Sequence, residues 1–383
     1  MTPAARAQAA IAILDRILAG EPAEAALLRW ARGSRFAGSG DRAAVRDLVF
    51  DNLRRARSRA VRGGAQSGRG LMLGMCRELG IAPDTLFTGE RHAPELLAPA
   101  ELRRGAEPSD IDQLDLPEWL IPEWQQALGQ NARPVALALR DRAAVWLRVN
   151  DLRATPQQAI AALAAEGIAV KPWPGLDGAL QVTEGARRLN NTKAYAQGLV
   201  ELQDLSPQLA CAALPVASSV LDYCAGGGGK ALALAARGVG QITAHDIDAR
   251  RMQDLPARAA RAGAQIRIAQ PGQVRGHFDL VVADVPCSGS GTWRRTPDSK
   301  WRLTPGQLAQ LGQAQSTILD RVAQHVTSKG HLAYMTCSVL GCENQRQIAD
   351  FLMRTPHFRL CDERLFTPLD ASDGFYLALL QRD

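Results

Sequence analysis

No apolar run in the 383-residue chain approaches the ~18 residues that a membrane span requires. The N-terminus also lacks the continuous apolar core of a secretory signal, because Asp15 and Arg16 interrupt its first apolar stripe. A cytoplasmic protein is therefore expected. The seven cysteines, Cys76, Cys211, Cys224, Cys287, Cys337, Cys342 and Cys361, are odd in number and widely scattered. None forms the CxxC pairs with histidine partners that would hold zinc, so reduced thiols and no metal are expected. There is no low-complexity tract. What remains is an ordinary soluble composition, 46% apolar and 22% charged, long enough for two or three domains.

Charge is unevenly spread. Residues 29–62 hold ten arginines (29, 32, 35, 42, 46, 54, 55, 57, 59 and 62) against Asp41, Asp47 and Asp51, an excess larger than the net +6 of the whole chain. Phosphate binding uses such a concentration. A single charge run is more often a solvated helix face. A second basic cluster near residue 295 favours nucleic acid.

Residues 1–64 read as helices, with Ile11, Leu14, Ile17 and Leu18 on one stripe and Val45, Leu48, Val49 and Leu53 on another. The glycine-bearing segment 63–68 marks a boundary or turn. Residues 65–140 are expected to form a partly helical connector, punctuated by Pro117-Glu118-Trp119 and Pro122-Glu123-Trp124. Residues 141–200 form a small αβ unit: Val145, Leu147 and Val149 alternate as a strand, and Thr155-Pro156-Gln157-Gln158 is a capping box. From 201 to 383 strands and helices alternate, with strands at 220–223, 242–244, 266–268, 280–283 and 332–335. Repeated βα units with short loops predict an α/β domain with a parallel-rich, doubly wound sheet.

The stretch from Phe278 to Trp301 organises the rest. A buried strand ends in Asp284, Pro286 and Cys287, followed by a Ser/Gly loop that admits another backbone closely. Trp293, Arg294, Arg295, Lys300, Trp301 and Arg302 follow. Ligands of open α/β sheets sit at the carboxyl ends of the strands. An acid and a thiol running into a basic, aromatic loop there suggest chemistry on a nucleic-acid base.

The strand at 220–223 runs into Asp222-Tyr223-Cys224-Ala225-Gly226-Gly227-Gly228-Gly229-Lys230 and then a helix. Glycines let backbone N–H groups approach a ligand at the helix start. A P-loop is excluded, because it needs glycine at 224 and Ser or Thr at 231. Asp246 ends the next strand, where an acid would hold a ribose diol. NAD and S-adenosylmethionine both use that acid, so these features alone leave the two open.

Two thiols separate them. Cys287 leaves the fourth strand and Cys337 the fifth, and adjacent strands lie ~4.8 Å apart, so both could face one crevice. A buried cysteine is ordinarily a small hydrophobe, which serves for Cys76, Cys211 and Cys361; Cys342 is expected to pack the next helix. Methylation of carbon 5 of a pyrimidine uses two thiols and an acid. A thiolate adds to carbon 6, and Asp284 in its acid form donates to the ring as charge develops. An NAD-dependent oxidoreductase would use neither thiol.

These motifs, DYCAGGGGK, DVPCSGSGTWRR with KW, and MTCS, resemble the RsmB/Nop/Sun family of RNA cytosine-5 methyltransferases. The resemblance extends to Gln203-Asp204-Leu205-Ser206, Glu343-Asn344 and Asp373-Gly374-Phe375-Tyr376, covering the last half of the chain most strongly. It implies a Rossmann-like class I methyltransferase domain, preceded by an RRM-like αβ domain and a helical NusB-like RNA-binding domain. It also implies Cys337 as nucleophile, Cys287 assisting product release, and S-adenosylmethionine held by Cys224, Ala225, Gly226 to Gly229, Lys230 and Asp246. Asp284 would lie between cofactor and base. The partner implied is RNA, ribosomal before transfer RNA, bound by a monomer. Two departures stand out. Gly226-Gly227 replaces the family's Ala-Pro, and Gln270 stands where an acid usually meets the adenine. That second departure is the one support for the alternative, a catalytically inactive RNA-binding assembly factor.

Overall fold

A computed structural model describes residues 1–383, which divide into two compact units. The first comprises Met1–Arg142 and Thr292–Pro305; the second comprises Ala143–Gly291 and Gly306–Asp383.

The first unit is helical, beginning with α1 (Pro3–Leu18), α2 (Ala23–Gly33), α3 (Ser39–Arg54), α4 (Ala56–Gly63) and α5 (Gly68–Leu79). Thr2 caps α1 by accepting from Ala5 N at 3.1 Å, with Pro3 at the first helical position. The apolar stripes predicted on α1 and α3 meet in the core, where Ile11, Leu14, Val49 and Leu53 are buried. That core does not close at residue 64. Leu71, Met72 and Cys76 of α5, and Phe87 beyond it, belong to the same cluster. The glycine-bearing segment is thus a turn inside one core. Helices α4 and α5 cross at backbone contact, where a Cβ on Gly74 would lie 2.0 Å from the carbonyl oxygen of Arg59.

The segment Thr292–Pro305 belongs to this helical unit and is interior to it. Trp293 is buried and stacks on Trp124 at 6.1 Å between ring centroids. Trp301 donates its indole N–H to Leu53 O at 2.7 Å, and Lys300 donates to Arg54 O at 3.3 Å. The expectation that this stretch offers a basic, aromatic face to RNA is therefore corrected for Trp293, Arg294 and Lys300, all buried. Arg295 and Arg302 remain exposed.

The second unit holds two sheets. β1 (Val145–Val149), β2 (Ala169–Pro172), β3 (Ala179–Glu184) and β4 (Val200–Leu202) form an antiparallel sheet in the order β2-β3-β1-β4. The capping box at Thr155 is realised, with Gln158 N donating to its hydroxyl at 3.3 Å.

The larger sheet contains β5 (Ser219–Asp222), β6 (Gln241–His245), β7 (Ile266–Ala269), β8 (Phe278–Asp284), β9 (Val326–Thr336), β10 (Phe358–Phe366) and β11 (Phe375–Arg382). Their order is β10-β11-β9-β8-β5-β6-β7. The first five of these pair in parallel, as the alternating pattern predicts. The last two are antiparallel and were not anticipated. The signal lay in the run Phe375 to Leu380, which is wholly buried, as a strand covered on both faces should be. Strand order reverses between β5 and β8, so the carboxyl ends of β5, β6, β8 and β9 frame the crevice where such sheets bind ligands.

Candidate active site

Parallel register sets Asp284 of β8 opposite Met335 of β9, so the residues that leave these strands emerge side by side. Cys287 and Cys337 meet there, with 3.3 Å between their sulfur atoms. Both are half-buried. The hydrogen bond to Cys337, then burial, then the charges of Cys337 and Glu343, hold the Cys287 thiol well above its ordinary range.

Two polar networks hold the thiol-bearing loops. Glu343, fully buried, accepts from Ser288 N at 2.8 Å, from Ser288 Oγ at 2.5 Å and from Gln315 Nε2 at 3.0 Å. Gln315 Nε2 also donates to Pro286 O at 3.0 Å. On the Cys337 side, Asn344 donates to Ser338 O at 2.9 Å while Thr336 Oγ1 donates to Asn344 Oδ1 at 2.6 Å. The Ser/Gly loop admits a close neighbour, as expected. Gly291 N donates to Cys337 O at 3.0 Å and Gly374 N donates to Gly291 O at 2.9 Å, an approach with no room for a Cβ on either glycine.

Gln315 was missed by sequence reasoning, although a signal existed. It falls on the apolar stripe of the helix Pro305–Ala323, between Leu311 and Leu319, and is fully buried. A lone amide on a buried stripe marks a group with a specific partner. One thiol outside the site departs from expectation: Cys361 is exposed on an outer strand, whereas Cys76 and Cys211 are buried as predicted.

Asp284 lies in the crevice beside the thiol strands and accepts a hydrogen bond from Nζ of Lys230. Burial opposes the charge on Lys230, but Asp284 and the neighbouring acidic groups outweigh it and raise the ammonium above its ordinary range. Lys230, expected at the cofactor, therefore contacts the candidate catalytic acid.

The glycine loop connects β5 to the helix Gly229–Ala236, and Gly226 and Gly228 take left-handed φ values of 52° and 79°. Asp246, buried at the end of β6, accepts from Gly226 N and Asp248 N, each at 3.0 Å, and pairs with Arg251 at 3.1 Å. The paired residues His245 and Ala269 bring Gln270 alongside Asp246, and Gln270 is exposed. Asp222 is fully buried; its Oδ2 accepts from Ala231 N at 3.1 Å, but its Oδ1 has no partner. Burial, opposed by Lys230 and reinforced by Asp284, pushes its carboxyl up to about 7. Burial and the same group of acids likewise raise Cys224, which suits a lining thiol and not a nucleophile.

A family model described as "16S rRNA methyltransferase RsmB/F" matches residues 213–381, and one for the ferredoxin-like domain of RsmF/B-like proteins matches 116–187. A ribosomal RNA small subunit methyltransferase B from Shigella flexneri is 32% identical over 321 residues, covering 79% of this chain and 72% of that protein. This chain belongs to the RsmB/F methyltransferase family. A protein of the same description from Escherichia coli is 33% identical over 282 residues, 69% of this chain and 66% of that protein, so the chain spans about two thirds of its length. Among solved structures, PH0851 has a TM-score of 0.77 at 22% identity and covers 98% of this chain and 99% of its own. A methyltransferase homologue from Pyrococcus horikoshii has a TM-score of 0.63 at 22% identity, covering 73% and 100%. At that identity both show the fold.

The family's cofactor is S-adenosylmethionine, and the crevice fits it. Asp222 Oδ1 is a buried acceptor without a partner, the left-handed glycines bring backbone N–H groups to the edge of the sheet, and Asp246 is an acid at the end of the adjacent strand.

Proposed function

We propose that this chain methylates carbon 5 of a cytosine in ribosomal RNA, using S-adenosylmethionine and a transient bond between Cys337 and carbon 6 of the base. The observation that carries the reading is the pair of sulfurs 3.3 Å apart at the ends of neighbouring strands, beside the Asp284–Lys230 contact. Methylation of an exocyclic amine would use no thiol. Ribosomal RNA is supported by the descriptions of the family model and of the relatives. The cofactor would be held by residues 224–230 and Asp246, with Gln270 offering a neutral hydrogen-bonding group near the adenine. Bound there, S-adenosylmethionine supplies an electrophilic methyl group.

The protein's own groups do the rest. Cys337 as thiolate adds to carbon 6, and the electron pair displaced from the ring makes carbon 5 nucleophilic. Asp284, backed by the Lys230 ammonium, meets the charge that develops on the ring, by hydrogen bonding or by proton donation. After methyl transfer a base takes the proton on carbon 5, and the carbon–sulfur bond breaks to return Cys337. Cys287 stands within hydrogen-bonding distance of that sulfur, where a thiol proton would stabilise the departing thiolate.

The test separates the two thiols. Cys337→Ala should lose methylation and form no adduct with RNA. Cys287→Ala should still attack but release slowly, accumulating a protein–RNA species that survives denaturing electrophoresis and requires S-adenosylmethionine. Adduct from Cys337→Ala and none from Cys287→Ala would reverse the roles. Full activity in both variants would exclude the covalent route.

A further inference from the structure

Two chemically identical thiols at 3.3 Å need something to make them unequal, and the protein environment on the two sides differs. Behind Cys287 lies a carboxylate; behind Cys337 lies a neutral amide. Glu343 receives three donors, Ser288 N, Ser288 Oγ and Gln315 Nε2, which suits an acceptor-only group. Asn344 and Thr336 hold the Cys337 loop without any charge. The Cys287 loop is also gripped on both sides of the thiol, at Pro286 O by Gln315 and at Ser288 by Glu343.

We propose that Glu343 is a positioning residue that decides which thiol is the nucleophile, by anchoring the Cys287 loop and setting a negative charge behind Cys287. The inference rests on the thiol-pair reading above and deepens it. Two negative charges cannot lie close together in a partly buried pocket without a large penalty. With Glu343 behind it, Cys287 is the costlier sulfur to ionise, so the proton shared by the pair resides there and Cys337 receives the hydrogen bond. Cys337, Glu343 and the Tyr334 phenol face Cys287 and raise its thiol or are raised by it, opposed by a backbone hydrogen bond from Gly289. Tyr334 is itself buried and donates its hydroxyl to Glu343 O at 2.7 Å, so it braces the backbone of the same residue. Gln315 supplies reach without charge, which allows anchoring and electrostatics to be separated.

The experiment measures iodoacetamide alkylation of each cysteine in the full chain, mapped by peptide mass spectrometry, across the range in which thiols titrate. It needs neither RNA nor cofactor, so its outcome is independent of whether the protein methylates cytosine. In the native sequence Cys337 should react faster than Cys287. Glu343→Gln, which keeps the shape and removes the charge, should shrink that preference by about tenfold, the effect of one pKa unit. Glu343→Asp, which keeps the charge, should retain the order. Gln315→Leu tests anchoring alone and should loosen both rates while preserving their order. If Glu343→Gln does not fold, the native chain and Glu343→Asp still decide the matter, because equal rates or faster Cys287 in both would overturn the proposal. An unchanged preference in a folded Glu343→Gln would overturn it as well.

Discussion

The arginine-rich stretch of the first unit divides into two halves of like composition and opposite fate. Arg29, Arg32, Arg35, Arg42 and Arg46 are exposed on and around α2 and α3. Arg29 meets Glu21 at 3.0 Å and Arg46 meets Glu24, surface pairs of the kind worth little to stability. Arg54 to Arg62 turn inward. Arg54 donates to Arg294 O at 2.7 Å, Arg57 to Asp112 at 2.8 Å, Arg59 to Glu78 and Asp51 at 2.7 Å each, and Arg62 to Glu107 at 2.8 Å. The acids that neutralise this second half mostly lie at 78–141, outside the window in which the charge was counted. Local charge excess therefore overstates a phosphate-binding surface whenever later chain brings the counter-charges home.

The sharpest way to break this comparison is Arg59→Ala. Arg59 is 1% exposed and bridges two carboxylates that Arg55 and Arg140 also meet, so its loss should cost about 1–3 kcal/mol of stability through lost charged hydrogen bonds. Denaturant unfolding would measure this, and a change below 1 kcal/mol, on the order of a surface pair, would place Arg59 with the exposed half. The reciprocal experiment replaces Arg29, Arg32, Arg35, Arg42 and Arg46 together by alanine. Stability should hold, while the slope of log affinity for RNA against log salt should flatten by up to about 3–4 units if all five meet phosphate. An unchanged slope would assign phosphate binding elsewhere.

Lys300 provides the smallest and most specific test, since it looked like part of a second basic surface and is interior. Burial, opposed by Asp115, lowers its ammonium to about 8. Between that value and the ordinary ~10.4 of lysine, the folded protein binds fewer protons than the unfolded chain. Stability from this group therefore rises with pH through that window and is lost as pH falls through 8. Lys300→Met should flatten the rise and leave RNA affinity unchanged. A weakened RNA complex with an unaltered pH profile would return Lys300 to the surface.

The same contrast explains what was legible in the sequence. Val281 and Val282, and Ala333 and Tyr334, read as buried parallel strands, so the residues at their ends, Asp284, Cys287 and Cys337, could be brought to one crevice from pattern alone. Asp246 and the glycine loop followed from the same topology. The clamp on Cys287 was not legible, because Gln315, Glu343 and Ser288 come from three separate segments and only the packed helix unites them. Nor was the fate of Trp293 and Lys300. A tryptophan among basic residues reads alike whether it awaits a base or stacks on Trp124, and the partner lies more than a hundred residues away in sequence.

The excursion of Thr292–Pro305 makes the two units inseparable by a simple cut. The polypeptide leaves the methyltransferase-like unit after Gly291, contributes Trp293 and Trp301 to the helical core, and returns at Gly306. A fragment beginning at Ala143 would carry both indoles with their helical partners Trp124 and Leu53 removed, presenting fresh apolar surface to water. Trimming the other terminus is no milder, since removal of residues 1–64 strips Ile11, Leu14, Val49 and Leu53 from the cluster that α5 completes. The helical part is thus not an appendage that evolution or an experimenter can exchange at one junction. Any graft must carry two pieces of chain, one of them borrowed from the middle of the partner.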